Sequence, residues 1–294
     1  MSDWPQEIGN LGWQANGNST SHSDEAAHAV SRAIRESVYF HGRAIEVAVS
    51  GSHRNLTNVE GSAVDIAVIC TDSQIRDVPA GYVVRGGGSS TTHGSFAKYR
   101  AEVGLALRAR FPETEVRSGD KCFELSPCVL GGPIRVAPFF TYRRISESGA
   151  PQDGVVLWTK ATESQIVNWP DQQYANGLRK DISTGGEFRR AVCALKSLRN
   201  RMEAAGVRME NITGYLIECL CYNVPSRAYE GRTDIACLNT VLEAIVEATR
   251  RYELCEDWVE VHGMGHLFRS DKPWRWQRVN EFARAAQGAI FSGL

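Results

Sequence analysis

No stretch of this chain approaches the roughly 18 consecutive apolar residues that a bilayer-spanning helix needs, so no membrane segment is expected. The first residues, Met1-Ser2-Asp3-Trp4-Pro5, carry neither a basic cluster nor an apolar run, which argues against a secretion signal. Surplus positive charge is missing too. The 33 Lys and Arg meet 34 Asp and Glu, for a formal net charge of −1, so any polyanion site has to be a local basic patch. The 8 cysteines, at 70, 122, 128, 193, 219, 221, 237 and 255, include no C-x-x-C pair, and without that spacing a zinc site is not expected. They read as reduced, partly buried thiols of a cytoplasmic protein. There is no internal repeat, and the low-complexity sequence is confined to the glycine-rich run Gly86-Gly87-Gly88-Ser89-Ser90-Thr91-Thr92-His93-Gly94, which reads as a flexible loop. What is there is ordinary globular sequence, 43% hydrophobic and 23% charged, and 294 residues suffice for two packed lobes.

Periodicity divides the chain. Residues 1–23 are polar and rich in Gly, Asn and Ser, as expected of a loose arm. Ala27, Val30, Ala33 or Ile34, and Val38 predict a helix from Asp24, a plausible N-cap, to about Phe40. Strands are predicted at Ile45–Val49 and Val64–Cys70, and a helix over Ser95–Phe111 with Phe96, Tyr99, Val103, Leu107 and Phe111 on one face. A strand or hairpin interrupted at Gly119 follows, then a strand from Pro133 ended by Pro138. Beyond residue 150 the pattern is helical, over Glu187–Met202, Ile212–Tyr222, Val241–Tyr252 and Arg278–Phe291. The fold class is therefore α+β: a lobe of mixed sheet and helices at 24–150, then a helical lobe at 151–294, with the cleft between them as the expected ligand position.

The chemistry concentrates in Gly51-Ser52-His53-Arg54-Asn55-Leu56-Thr57-Asn58-Val59-Glu60-Gly61-Ser62-Ala63-Val64-Asp65-Ile66. A Gly-Ser turn, a loop, and then an acid on a strand resemble the active-site signature of polymerase-β-type nucleotidyltransferases. In that signature an Asp-x-Asp pair aims two carboxylates at one point, because alternate strand residues share a face. Here the first position is Ala63 and the second is Asp65. Further segments sharpen the resemblance: Val136-Ala137-Pro138-Phe139-Phe140 with Tyr142-Arg143-Arg144, Asn168-Trp169-Pro170, Asn176-Gly177 with Lys180, Ser183 and Thr184, Lys196-Ser197-Leu198-Arg199-Asn200, and Tyr215-Leu216-Ile217-Glu218-Cys219-Leu220 with Tyr222-Asn223-Val224-Pro225. The ordered set resembles the bacterial CD-NTases, the cGAS/DncV-like cyclic-oligonucleotide synthases, close to the clade called E. The resemblance implies a polymerase-β-like palm with an α-helical second lobe, two Mg²⁺ ions as cofactors, and nucleoside triphosphates joined into cyclic di- or trinucleotides. It also implies an anti-phage operon in which the product activates a downstream effector protein.

Carried over residue by residue, the resemblance makes Gly51 and Ser52 phosphate-binding, a role that backbone N–H groups and a hydroxyl suit. A plain strand-to-helix turn capped by Ser52 is the bland alternative. Asp65 is the catalytic and metal-binding carboxylate; the alternative is a strand-end acid facing water. A methyl group at 63 cannot coordinate a cation. The family's third carboxylate stands three residues before the proline of its strand, a place held here by Arg135, which repels Mg²⁺ or replaces it as a fixed cation on phosphate. An arginine there favours natural loss over engineered replacement. Asp120 and Glu124 are the nearest acids able to fold back into the gap. Lys180, Lys196 and Arg199 are candidates for triphosphate binding, or else a solvated basic helix face. Tyr174 and Tyr215 could stack a base or simply pack. Glu218, in an apolar helix, reads as a buried acid paired with a base, and the glycines between His262 and His266 disfavour a metal there.

Two functions follow. One is a nucleotidyltransferase scaffold with little or no synthesis of its own. The other is a non-catalytic nucleotide- or RNA-binding relative acting as a sensor or regulatory partner. Transfer of nucleotides to RNA ends or to a protein hydroxyl is a weaker third.

Overall fold

The computed structural model describes residues 19–78, 93–126, 132–146, 149–230 and 234–292. The arm expected over residues 1–23 lies mostly outside them, as does most of the glycine-rich run. The described chain divides into a sheet unit, 19–54 and 61–170, and a helical unit, 55–60 and 171–292. The architecture is α+β, a unit of mixed sheet and helices and a unit of helices.

The sheet unit opens with α1 (Ser19–Glu36) and continues through β1 (Ile45–Ser50), the short helix α2 (Gly51–Asn55), β2 (Val64–Asp77), α3 (His93–Arg110), β3 (Val116–Ser118), β4 (Phe123–Leu125), β5 (Ile134–Ile145), β6 (Pro151–Trp158) and β7 (Gln165–Asn168). Seven strands form one sheet in the order β1-β2-β5-β4-β3, and β6 adds to the other end of β5 and carries β7. Among the described residues only β2 and β5 run parallel. β2 is central because its apolar run is buried from Ile66 to Cys70, as its composition demands. α1 and α3 cover one face of the sheet, burying Val30 and Ile34 from α1 and Phe96, Tyr99, Val103 and Leu107 from α3, while Tyr99 Oη donates to the Val68 carbonyl at 2.9 Å.

Several expectations shift. α1 begins at Ser19, so Asp24 lies inside the helix and is not its cap. β2 runs on to Asp77 across an irregularity between Cys70 and Gln74, after which residues 74–77 pair with Thr141–Arg144. β5 continues through Pro138 to Ile145. Proline is tolerated there because β4 pairs only with 134–136 and β6 only with 140–145. Among the described residues, 137–139 have no partner strand on that edge, and the missing N–H breaks no ladder bond there. β6 and β7 belong to the sheet although they lie beyond residue 150, where the helical lobe was expected to begin.

The helical unit contains α4 (Pro170–Ser183, from its second residue), α5 (Glu187–Ala204), α6 (Gly214–Asn223), α7 (Asp234–Ala248) and α8 (Trp276–Ser292). Its core joins the stripe Phe188, Val192, Leu195 and Met202 of α5 to Leu216, Ile217 and Leu220 of α6, Val241 and Ile245 of α7, and Val279 and Phe282 of α8. Each such side chain contributes about 1.5–3 kcal/mol by leaving water. Among the described residues no helix is long and apolar enough to cross a membrane.

Candidate active site

In the sheet unit, β1 ends at Ser50, directly beside Asp65 on β2. The chain then turns at Gly51, whose φ of +60° lies in the left-handed region. A Cβ on Gly51 would fall 2.3 Å from Asp65 Oδ2, so the turn and the carboxylate approach closely only because residue 51 has no side chain. α2 begins here and carries Ser52 and, beneath it, the buried His53. Burial holds the His53 pKa below its ordinary value, with the Ser62 backbone and the Asp65 charge pulling more weakly upward.

The parallel register sets Asp65 beside Arg135. Arg135 Nε lies 2.8 Å from Asp65 Oδ1, and its Nη2 donates to Oδ2 at 3.0 Å. This two-point fork engages both carboxylate oxygens. The pair is open to solvent, with side-chain exposures of 28% for Asp65 and 48% for Arg135, so its weight is in the charge of the site more than in stability. The antiparallel register on the other side places Glu124 of β4 opposite Arg135. Asp65, Arg135 and Glu124 therefore lie across three adjacent strands on one face of the sheet. Glu124 also stands 4.0 Å from Arg117 Nη1. Cys122, two residues earlier, feels both Arg135 and Asp65, and burial raises its thiol pKa.

These residues do not fit a two-magnesium centre. Ala63 offers no ligand atom, Arg135 brings a cation, and Asp65 has both oxygens in the fork. Among the described residues no group of three or more His, Cys, Asp or Glu side chains is arranged to hold a metal ion.

In the helical unit the expected basic residues turn inward. Lys196 is 5% exposed, its Nζ donates to the Thr57 carbonyl at 2.8 Å and to Thr57 Oγ1 at 3.1 Å, and it lies 3.9 Å from Glu218. Glu218 also accepts from Asn55 Nδ2 at 3.3 Å, Thr57 Oγ1 at 3.1 Å and Gln173 Nε2 at 2.9 Å. It is thus the buried acid paired with a base that its apolar helix implied. The cluster anchors Asn55–Glu60, the loop between the Gly-Ser turn and the Asp65 strand, within the helical unit. Lys180 donates to the Val224 carbonyl and lies over the Tyr229 ring, and burial lowers its pKa. Arg199 donates to the Ile212 carbonyl and pairs with Glu203 at 3.6 Å. Tyr215 donates to Glu260 at 3.0 Å and packs against Trp274, in place of offering a free face to a base. His262 meets Glu260 at 3.3 Å.

Of the sequence candidates, then, the fold gathers Gly51, Ser52, Asp65 and Arg135, while Lys180, Lys196 and Arg199 belong to separate contacts of the helical unit. Two further residues come close to this group, Glu124 opposite Arg135, which the sequence offered only as a nearby acid, and the buried His53, which it did not single out. The register that sets Glu124 against Arg135 leaves no local signature, and a histidine after Gly-Ser reads as one more polar turn residue.

Comparison with known proteins bears on this geometry. The family model of the cGAS/DncV-like nucleotidyltransferase C-terminal helical domain matches residues 175–290. A cyclic dipyrimidine nucleotide synthase CdnE from Cecembia lonarensis is 32% identical, with 82% of each chain covered. A protein of the same description from Legionella pneumophila is 28% identical over 98% of each. Among solved structures, the Elizabethkingia meningoseptica CdnE cyclic dinucleotide synthase with GTP and Apcpp superposes with a TM-score of 0.75 at 26% identity, covering 92% of each chain.

Proposed function

We propose, given that this chain belongs to the bacterial cGAS/DncV-like nucleotidyltransferases of clade E, that it binds nucleoside triphosphates on the palm but joins them poorly or not at all. The observation that carries this reading is the two-point Asp65–Arg135 fork standing where the family pattern has carboxylates. Replacing two Asp by Ala63 and Arg135 changes the local charge by +1 and +2, a total of +3. A site of three carboxylates repels a triphosphate until metal ions arrive. This one does not, and Arg135 is itself a planar donor suited to phosphate oxygens. With Ala63 and Arg135 in place, the charge that develops on the phosphates during transfer has no pair of divalent ions to meet it, so the barrier stays high. Gly51 and Ser52 hold the phosphates, and Asp65 keeps Arg135 in place.

Family membership supports an anti-phage signalling setting. There a nucleotide-binding chain without synthesis serves as a sensor or regulatory partner, for free nucleotide or for RNA, and a downstream effector enters only if a product is made. The dipyrimidine synthases among the relatives make UTP and CTP the nucleotides to try first.

The test is incubation of the chain, of Ala63→Asp, and of Ala63→Asp/Arg135→Asp with all four labelled triphosphates and Mg²⁺ or Mn²⁺, beside thermal shift with and without metal. The expected outcome is no phosphatase-resistant product from the unaltered chain, product only when both carboxylates are restored, and stabilisation by nucleotide in EDTA. Cyclic product from the unaltered chain overturns the reading. The position of Glu124 opposite Arg135 favours one alternative, a carboxylate supplied from the neighbouring strand. In that case the unaltered chain makes product and Glu124→Gln abolishes it.

A further inference from the structure

The face of the sheet opposite Asp65, Arg135 and Glu124 carries a half-open cleft of about 570 Å³, within the range of small-molecule sites. Alternation fixes the side. Phe123 pairs with Val136 while Glu124 pairs with Arg135, so adjacent residues of β4 point to opposite faces. The walls are aromatic: Phe96 and Trp158, with ring centroids 5.0 Å apart, and Phe123. One helical stripe of α3, Ala97, Ala101 and Leu105, forms the remaining side with small or exposed residues, Leu105 being 58% exposed.

Charge in this cleft is one-sided. Arg100, Arg108 and Lys160 line it against the single acid Glu163. Arg100 is the decisive residue. It is 8% exposed, lies 5.4 Å from the Phe123 ring centroid, and its guanidinium donates to the backbone carbonyls of Gly119 and Asp120. Among the described residues no carboxylate forms an ion pair with it, and burial works against its charge. The Gly119 and Asp120 carbonyls, the Phe123 ring and the more distant Asp120 charge favour the cation, but burial outweighs the charges around it, and an anion in the cleft would offset that cost. Flat aromatic walls favour a planar ligand that stacks.

We propose that this cleft is a second ligand site, separate from the nucleotide site, that takes a small planar aromatic molecule bearing an anionic group. The ring system lies among Phe96, Phe123 and Trp158, and the anionic end meets Arg100 from within with Arg108 and Lys160 at the mouth.

Binding of 8-anilinonaphthalene-1-sulfonate, followed by fluorescence on the full chain, tests this beside its neutral counterpart N-phenyl-1-naphthylamine. The sulfonate is expected to bind at least about tenfold more tightly than the neutral probe. Arg108→Glu/Lys160→Glu, both exposed positions, should bring the two probes to near parity by weakening the sulfonate alone. Ala101→Trp, which fills the cleft from an exposed helix position, should remove both probes, and Ala97→Phe does the same if Ala101→Trp does not fold. Each variant is compared at an unchanged melting midpoint, which separates a site from general loosening. Equal affinity of the two probes, unchanged sulfonate binding in the charge-reversed variant, or unchanged binding in the filled variants overturns the proposal. Nucleotide binding at Asp65 and Arg135 is not read out, so failure here leaves that reading standing.

Discussion

Two side chains and one missing side chain set the character of the candidate active site. Gly51 tolerates its φ of +60° and leaves room for Asp65 Oδ2, so Gly51→Ala is expected to be doubly unfavourable. The left-handed backbone alone costs about 1–2 kcal/mol, and the added methyl displaces the carboxylate. Urea unfolding should show the loss, and nucleotide affinity in EDTA should fall along with it. Unchanged affinity would mean the Gly51–Asp65 approach is not part of the site. In the helical unit the corresponding residue is Lys196. Removing its ammonium by Lys196→Met leaves Glu218 buried without its cation, a class of change that costs about 3–5 kcal/mol. The double variant Lys196→Met/Glu218→Gln should recover a large part of that. A double-mutant cycle showing no coupling would return Lys196 to the role of ligand-binding cation that its sequence suggested.

At the scale of elements, the strands and helices form where their patterns require, but their ends answer to neighbours. β5 passes through Pro138 because neither β4 nor β6 pairs at that point. α6 starts after Thr213, whose Oγ1 accepts from the Leu216 amide at 3.1 Å. Thr213→Ala is therefore expected to cost about 1 kcal/mol of stability, read as a lower denaturant midpoint with unchanged slope. Thr213→Asn should be nearly neutral, since its side chain also caps. This helix carries Glu218, so its start also places the acid that anchors the Asn55–Glu60 loop.

Over the whole molecule the two units lose stability to acid in different pH windows. In the sheet unit His53 has a depressed pKa, so the folded form binds fewer protons than the unfolded one just below pH 6.5, and stability falls as pH drops through that region. In the helical unit burial alone would raise Glu260, but His262 and Lys272, whose Nζ lies 2.7 Å from Oε1, outweigh it and hold the acid to about 2. That contribution is fully present above the ordinary carboxylate value of 4.5 and disappears as pH falls toward 2. Denaturant unfolding measured from pH 7 to 3 should show a first decline that His53→Asn flattens and a second, at lower pH, that Lys272→Met reduces. A single decline unaffected by His53→Asn would rule out the histidine as its source.

The sequence by itself determined the fold class, the run from Gly51 to Asp65, the buried stripes of α3 and α5, and the presence of Ala63 and Arg135 where the resemblance led one to expect carboxylates, because these depend on residue type and on periods of two and 3.6 that are local. Only the tertiary structure decided that Arg135 forks onto Asp65, that Glu124 lies opposite Arg135, that Lys196 points inward to Thr57 and Glu218, and that a cationic aromatic cleft opens on the far face of the sheet. Strand register, burial and the partner of a long side chain are set by residues distant in the chain. Lys196 on a helix face looks the same in sequence whether its ammonium meets water, a phosphate or the Thr57 carbonyl. What settles it is the desolvation that packing imposes and the hydrogen bonds that packing supplies.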